Sequence, residues 1–382
     1  MTQILTVDVG TGTQDIYLYK EGVSLENGFK LVMPSPTMQI RKRIQEATRR
    51  GEPVVLTGVM MGGGPCHWAA EDHIHSGYAL YATPEAARTF NDDLDWVQQE
   101  MGVVILSQDE ADGLMNATSI EMRDFDYKSI HSAFANFGVD LAPQAISVAV
   151  FDHGDAPPNV SDRQFRFDYL EERIRSENRL SSFAFLAQEV PTIMTRMLSV
   201  IESAREIECP LILMDTAPAA VLGATLDPRL SSRDRLLVAN VGNFHTLAFR
   251  LGPSRIEGVF EHHTGLINSQ RLDALLISLA DGTLTHQDVF NEHGHGALIL
   301  NKDPFLLNEG DFGVAVTGPR REMMQQSQLR PYFAVPFGDM MITGCFGLLV
   351  AVADLIPEMA APIRKAIAGE VSSVAPWDVE AS

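Results

Sequence analysis

Asp8 stands near the end of an apolar run at residues 4–9, which is followed at once by Gly10-Thr11-Gly12-Thr13. A carboxylate at a strand's end can hold a hydrated divalent ion. A glycine/threonine turn beside it offers amide N–H groups and hydroxyls to phosphate oxygens. An ordinary β-hairpin would use the same residues. The pattern returns at residues 236–246: a buried apolar run, Asn240, a turn at Gly242-Asn243, and an outgoing strand carrying Thr246. Two such hairpins facing one another would grip a polyphosphate from opposite sides.

Three further segments carry weaker signals. Residues 213–223 read as a strand, a polar turn at Asp215-Thr216 and a helix of alanines ended by Gly223, where either polar residue could simply cap the helix. Residues 314–320 end a strand in Thr317-Gly318-Pro319, where backbone can approach a flat base or ribose closely. Residues 338–347 open an apolar helix with small residues at helical spacing, which a buried core helix would also show.

The elements that must position these residues alternate between strand and helix. Strands are expected at 4–9, 15–19, 28–33, 53–59, 103–106, 145–151, 210–214, 236–241, 245–251, 314–317 and 332–336. Helices are expected from Pro34-Ser35-Pro36-Thr37 to about Arg50, from Thr83 to about Glu100, and over 190–206, with a short one from Pro218 and an apolar one from Gly338. The stretch from 252 to Gly313 reads only as mixed. Such alternation predicts α/β structure throughout. At 382 residues the chain fits two domains, with the run Gly154-Asp155-Ala156-Pro157-Pro158-Asn159 as the boundary: 1–155 and 156–382, helix 338–353 lying at their interface.

Phosphate hairpin, connecting helix, second phosphate hairpin, adenosine turn and second connecting helix follow one another in that order over residues 4–351. This order resembles the actin-like ATPase superfamily, which includes sugar kinases, heat-shock chaperone ATPases, actin and the exopolyphosphatases. Within it the sequence is similar to a domain-of-unknown-function family that carries the label of a pyruvate formate-lyase activating enzyme. The resemblance implies two actin-like (ribonuclease H-like) domains with a nucleotide cleft between them, and ATP with Mg²⁺ as cofactors. It implies that Asp8 binds the metal through water and that Gly10, Thr11, Gly12 and Thr13 contact the β- and γ-phosphates. Gly242, Asn243 and Thr246 would form the opposing loop, and Thr317, Gly318 and Pro319 would lie beside the adenosine.

Asn240 departs from the pattern, because relatives usually carry an aspartate there. An amide neither acts as a base nor neutralises a cation. Asp109 and Glu110 are the candidate replacement catalytic carboxylates, by loose likeness to the acidic segment that follows a similar strand in the exopolyphosphatase branch. Acids favoured by a helix start are the competing reading. Gly63, Gly64 and His67, in a glycine loop that could close over a ligand, are candidate substrate contacts, as is Asp215. His73, His75, His153, His262, His263, His293 and His295 include possible metal ligands, but no pair has a decisive spacing. Arg41, Lys42, Arg43, Arg49 and Arg50 form a basic cluster expected to be a solvated helix face.

The formal charge of -21 is spread over both halves, with 10 basic against 22 acidic residues up to 155 and 19 against 28 beyond it. No clustered Lys/Arg half exists to neutralise phosphates, so nucleic acid is not an expected partner. The N-terminus has no basic and long apolar signal pattern, and the apolar run 340–353 is too short for a bilayer, so a cytoplasmic protein with no membrane partner is expected. Cys66, Cys209 and Cys345 lie over a hundred residues apart, which speaks against a disulfide framework and against the close trio needed for a radical iron–sulfur centre. The function expected is an ATP-dependent phosphotransferase or phosphohydrolase acting on a small molecule. A slow or non-hydrolysing switch acting on a protein partner, or a fold that has lost its nucleotide, are the alternatives. A homo-oligomer is compatible with any of them.

Overall fold

A computed structural model describes residues 2–371 except 254, 308 and 309. The chain opens with β1 (Gln3–Val9), β2 (Thr13–Lys20) and β3 (Phe29–Pro34), an antiparallel meander. Next comes an inserted parallel sheet of β4 (Val54–Gly58), β5 (Leu80–Ala82), β6 (Val104–Ile105) and β7 (Thr118–Met122), in the order β6-β5-β4-β7. The chain then returns to the first sheet through β8 (Ala145–Val150), β9 (Ala184–Leu186) and β10 (Leu211–Asp215), giving the order β3-β2-β1-β8-β10-β9. A second meander, β11 (Leu236–Val241), β12 (His245–Gly252) and β13 (Arg255–His263), is completed by β14 (Gly296–Ile299), β15 (Val314–Thr317) and β16 (Pro331–Phe333), in the order β14-β13-β12-β11-β15-β16.

The two large sheets share one plan. In each, three antiparallel strands are followed by two that run parallel to the first: β3-β2-β1-β8-β10 in one, β13-β12-β11-β15-β16 in the other. Central strands β8 (AISVAV) and β11 (LLVANV) are buried along their whole length, so only near-continuous apolar sequences fit there. This duplicated α/β plan is the one that the resemblance to the actin-like ATPase superfamily implies. The expected cut after residue 155 does not separate the sheets, because β9 and β10 belong to the first sheet but follow that cut. The closing helices Thr343–Leu355 and Pro357–Ile367 also pack with residues of the first sheet in one core.

Helix Thr216–Ala224 leaves β10 and crosses helix Thr343–Leu355 where both carry glycine. A Cβ on Gly223 would lie 1.8 Å from the Thr343 carbonyl oxygen, and one on Gly347 would lie 1.9 Å from that of Ala219. Only residues without a side chain let these backbones meet, which explains the small-residue composition read in the sequence. Two expected helices are shorter than predicted. The stretch from Thr83 to Glu100 breaks into Pro84–Ala87 and a second start capped by Asp93, whose carboxylate accepts from the amides of Asp95 and Trp96. The 190–206 helix begins only at Thr195, after Pro191. No helix among the described residues is long and apolar enough to cross a membrane.

Gly347→Ala should lower unfolding free energy by about 3 kcal/mol or more, because backbone on backbone overlap cannot relax by rotamer change. Gly265→Ala, where a Cβ meets nothing within 4 Å, should stay within about 0.5 kcal/mol of the parent. Urea unfolding of both variants checks the contrast.

Candidate functional site

The two glycine turns have the same construction. Gly10 N–H bonds to the Thr13 carbonyl at 2.9 Å, and Gly242 N–H bonds to the His245 carbonyl at 3.0 Å. In each, a Cβ on the glycine would press on that same carbonyl, at 3.0 and 2.6 Å. Because each turn closes on its first amide, those of Thr11 and Gly12 in one, and Asn243 and Phe244 in the other, have no protein acceptor among the described residues. Such unpaired donors are costly in a protein interior and well suited to an anion. The turns meet: a Cβ on Gly12 would lie 3.3 Å from the Asn243 side-chain nitrogen.

Both turns line a single cavity of about 480 Å³, together with Asp8, Thr317, Gly318 and Pro319. Gly318 has φ +99°, and a Cβ there would strike the Val241 carbonyl oxygen at 2.5 Å, so this turn lies against the end of β11. The glycine loop supplies Gly62, Gly63, Gly64 and His67 to the same wall. Its backbone is held by Thr37, whose hydroxyl donates to the Gly63 carbonyl at 2.7 Å, and by Asp124, which accepts from Gly62 N–H at 3.1 Å. Trp68, one residue beyond His67, meets Phe244 of the second turn edge-on at 5.9 Å between ring centres. The inserted sheet's loop therefore closes against the far hairpin.

Asp8 is not alone. Antiparallel pairing of β1 with β2 sets Asp15 directly opposite it. Thr216 donates its hydroxyl to Asp8 Oδ1 at 2.5 Å, and Gly344 leaves room for Asp8 Oδ2, which a Cβ would approach to 1.9 Å. Burial pushes the Asp8 carboxyl up to about 6, against the lowering effect of the Thr216 hydrogen bond. Burial, then the Asp8 charge, pushes Asp15 up to about 8. Asp15 Oδ1 is buried with no hydrogen-bond partner. Two desolvated carboxylates side by side, one with an orphan oxygen, fit a divalent cation, since a positive charge would relieve both penalties.

Four expected site residues lie elsewhere. Glu110 accepts from Ser107 N–H at 2.8 Å and Ser107 Oγ at 2.7 Å, completing a capping box on the short helix Gln108–Asp112. Neither it nor the exposed Asp109 lines the cleft, so these acids serve the helix start rather than the cavity. Thr246 is buried with its hydroxyl 2.8 Å from that of Thr264, turned away from the phosphate turn. Asp215 caps its helix through Ala217 N–H and forms a buried ion pair with Arg166 on helix Asp162–Ser176, while its neighbour Thr216 takes the place in the cavity.

The sequence reading missed Asp15, Thr216 and the pair Asp124–Arg196, in which Arg196 Nε donates to Asp124 at 2.7 Å at the cavity's edge. Asp15 had a usable signal: a hairpin turning at 10–13 reflects position 8 onto position 15. Arg166 lies on a helix that the sequence analysis left unassigned. It also pairs with Glu261 of β13 at 3.3 Å, linking the two large sheets through one buried guanidinium.

An acid with a higher pKa folded than unfolded holds its proton more tightly in the folded chain. Stability then falls as pH rises from the ordinary value of 3.8 toward about 8 for Asp15. Asp15→Asn should therefore raise the melting temperature of the metal-free protein, with a gain on the order of a few degrees that widens from about pH 5 to about pH 8.5. A thermal melt series checks the sign: a gap that narrows with rising pH contradicts it.

No curated protein matches the chain. Among solved structures it is similar to a ROK family transcriptional regulator described as a homolog of the E. coli MLC protein (9% identity, TM-score 0.26, 66% of this chain and 37% of that one). It is also similar to the ROK hexokinase from Thermus thermophilus (12%, TM-score 0.24, 67% and 47%) and to a propionate kinase from Francisella tularensis subsp. tularensis SCHU S4 (12%, TM-score 0.25, 97% and 88%). The matches thus span less than half the length of the first two structures, and TM-scores this low carry no argument about activity. A family model, by contrast, matches residues 61–323, well over half of the chain. The chain belongs to the family described as "Putative pyruvate format-lyase activating enzyme (DUF1786)".

Proposed function

We propose that the protein binds ATP with Mg²⁺ in the cleft and acts as a phosphotransferase or phosphohydrolase on a small molecule. The observation that carries this reading is the meeting of two glycine turns whose free amides line one cavity beside a desolvated carboxylate pair. Amides of Thr11 and Gly12 would bind phosphate oxygens from one side, and those of Asn243 and Phe244 from the other. The turn at Thr317-Gly318-Pro319, pressed on β11, would take the adenosine. Asp8, oriented by Thr216, and Asp15 would hold the hydrated cation, which supplies charge neutralisation for phosphoryl transfer. Positioning and electrostatics suffice for much of that chemistry.

Burial and the Asp8 charge hold the Asp15 carboxyl near 8 in the metal-free chain. A bound cation would draw it down, so Asp15 serves as a ligand of the cation. Asn240, buried at the end of β11, favours a second reading: a switch that binds nucleotide without turnover and signals through closure of the glycine loop onto Phe244. A radical iron–sulfur centre would need its thiolates together. Cys66, Cys209 and Cys345 pack into three different cores of this chain.

ATP with Mg²⁺ should raise the melting temperature of the parent, because a ligand that binds only the folded state stabilises it by mass action. The shift should vanish in Asp8→Ala. Measured release of ADP decides between the readings: turnover lost in Asp8→Ala supports the enzyme, and a shift without turnover supports the switch. No shift with ATP or ADP, with or without Mg²⁺, refutes both.

A further inference from the structure

In the wall of the proposed nucleotide cleft, on side chains that the nucleotide reading does not use, three histidines from distant parts of the sequence come together. His245 opens β12 and His263 ends β13, and the antiparallel register pairs them directly. His295 immediately precedes β14 and is drawn to the same end by its N–H bond to the Glu261 carbonyl at 2.9 Å. One ring nitrogen from each lies within 4.8 Å of the other two. Among the described residues no other group of three histidine, cysteine or acidic side chains approaches so closely.

Two features separate this cluster from ordinary packed imidazoles. His295 is 1% exposed, and its Nδ1, like Nε2 of His245, is buried without a protein hydrogen-bond partner. The rings are also held from outside: Phe151 stacks flat on His245 at 4.1 Å, and His153 stands edge-on to it at 5.4 Å. Imidazole nitrogens too far apart to bond one another, yet gathered around one point, form a ligand set awaiting an acceptor. A tetrahedral ion with Zn–N bonds near 2.0–2.1 Å needs nitrogens roughly 3.4 Å apart, a small contraction from their present spacing.

The electrostatics agree. Burial, first of all, holds all three imidazoles below their ordinary pKa, so they are neutral at physiological pH, the form that ligates metals. Arg166, whose charge reaches His245 and His295, is balanced by Asp215 and Glu261. Arg163 spends a hydrogen bond on the Phe290 carbonyl and lies over the Phe290 ring. Imidazole-only sets suit zinc and the late first-row divalent ions, whereas Mg²⁺ prefers oxygen ligands.

We propose that His245, His263 and His295 form a binding site for a zinc-class divalent transition-metal ion, separate from the carboxylates of the cleft. His245 and His153 both line the cavity, so the ion would sit in its wall. Three protein ligands leave a tetrahedral ion one position for water or for an oxygen atom of a second substrate. The site stands whether or not the cleft takes a nucleotide.

The test is titration of untagged, chelator-stripped protein with Co²⁺, read by visible absorption. One equivalent should bind with the intense bands of a four-coordinate ion, Zn²⁺ should displace it stoichiometrically, and millimolar Mg²⁺ should not. His263→Gln and His295→Gln should each weaken binding at least ten-fold, whereas Asp8→Ala should leave it intact. Absence of saturable Co²⁺ or Zn²⁺ binding to the parent overturns the proposal whatever the variants do. So does binding that survives both histidine substitutions or is lost in Asp8→Ala.

Discussion

The cleft exists because two helices can touch without side chains between them. Gly223 and Gly347 allow helix Thr216–Ala224 to lie against helix Thr343–Leu355 at backbone distance, and Gly344 of the same contact makes room for the Asp8 carboxylate. Since the first helix leaves β10 and the second packs with the first sheet, their crossing fixes where Asp8, Thr216 and the first glycine turn lie. The second turn is brought to the same point through β11. Arg166 braces the arrangement, pairing with Asp215 at the end of β10 and Glu261 in β13. Loss of one partner from such a buried set would leave an uncompensated charge, at a cost of about 3–5 kcal/mol.

That geometry creates an electrostatic demand. Asp8 and Asp15 are forced together in a desolvated place, and both carboxyls are raised well above the ordinary range. The same cavity is lined by turns whose amides have no acceptors among the described residues. A site with unpaired donors facing a crowded acidic pair is matched by a polyanion carrying its own divalent cation, which explains why the reading of the cleft and the reading of its carboxylates converge. The histidine cluster makes a different demand, for a softer ion, and the two sets of ligands differ in chemistry as well as position.

Local chemistry was legible in the sequence. Glycine turns at 10–13 and 242–243 and β-branched runs such as Val54-Val55-Leu56 announce themselves within a few residues and lie where expected, and the small-residue helix expected from Gly338 begins at Thr343. The duplicated order of hairpin, helix and turn was therefore readable across most of the chain. Asp109 and Glu110 were drawn in by a local acidic run, although Ser107 three residues before Glu110 is itself the local mark of a capping box, which consumes Glu110. The other misses depended on pairing over distance. Thr246 stands in the expected strand, but strand alternation turned it toward Thr264. In the inserted sheet, β4 and β6 stand within the strands expected at 53–59 and 103–106, whereas β5 and β7, too short to show a pattern of their own, went unread. The three histidines are 18 and 32 residues apart and meet through the β12–β13 register and the bond from His295 N–H to the Glu261 carbonyl.

The central claim is that both turns act on one ligand. Amide hydrogen exchange, with and without Mg²⁺ and ATP, observes those N–H groups themselves. Slowed exchange at residues 10–13 and 242–244 together, at the same ligand concentration, is the predicted result. Protection of neither turn, or of one turn alone, would contradict it.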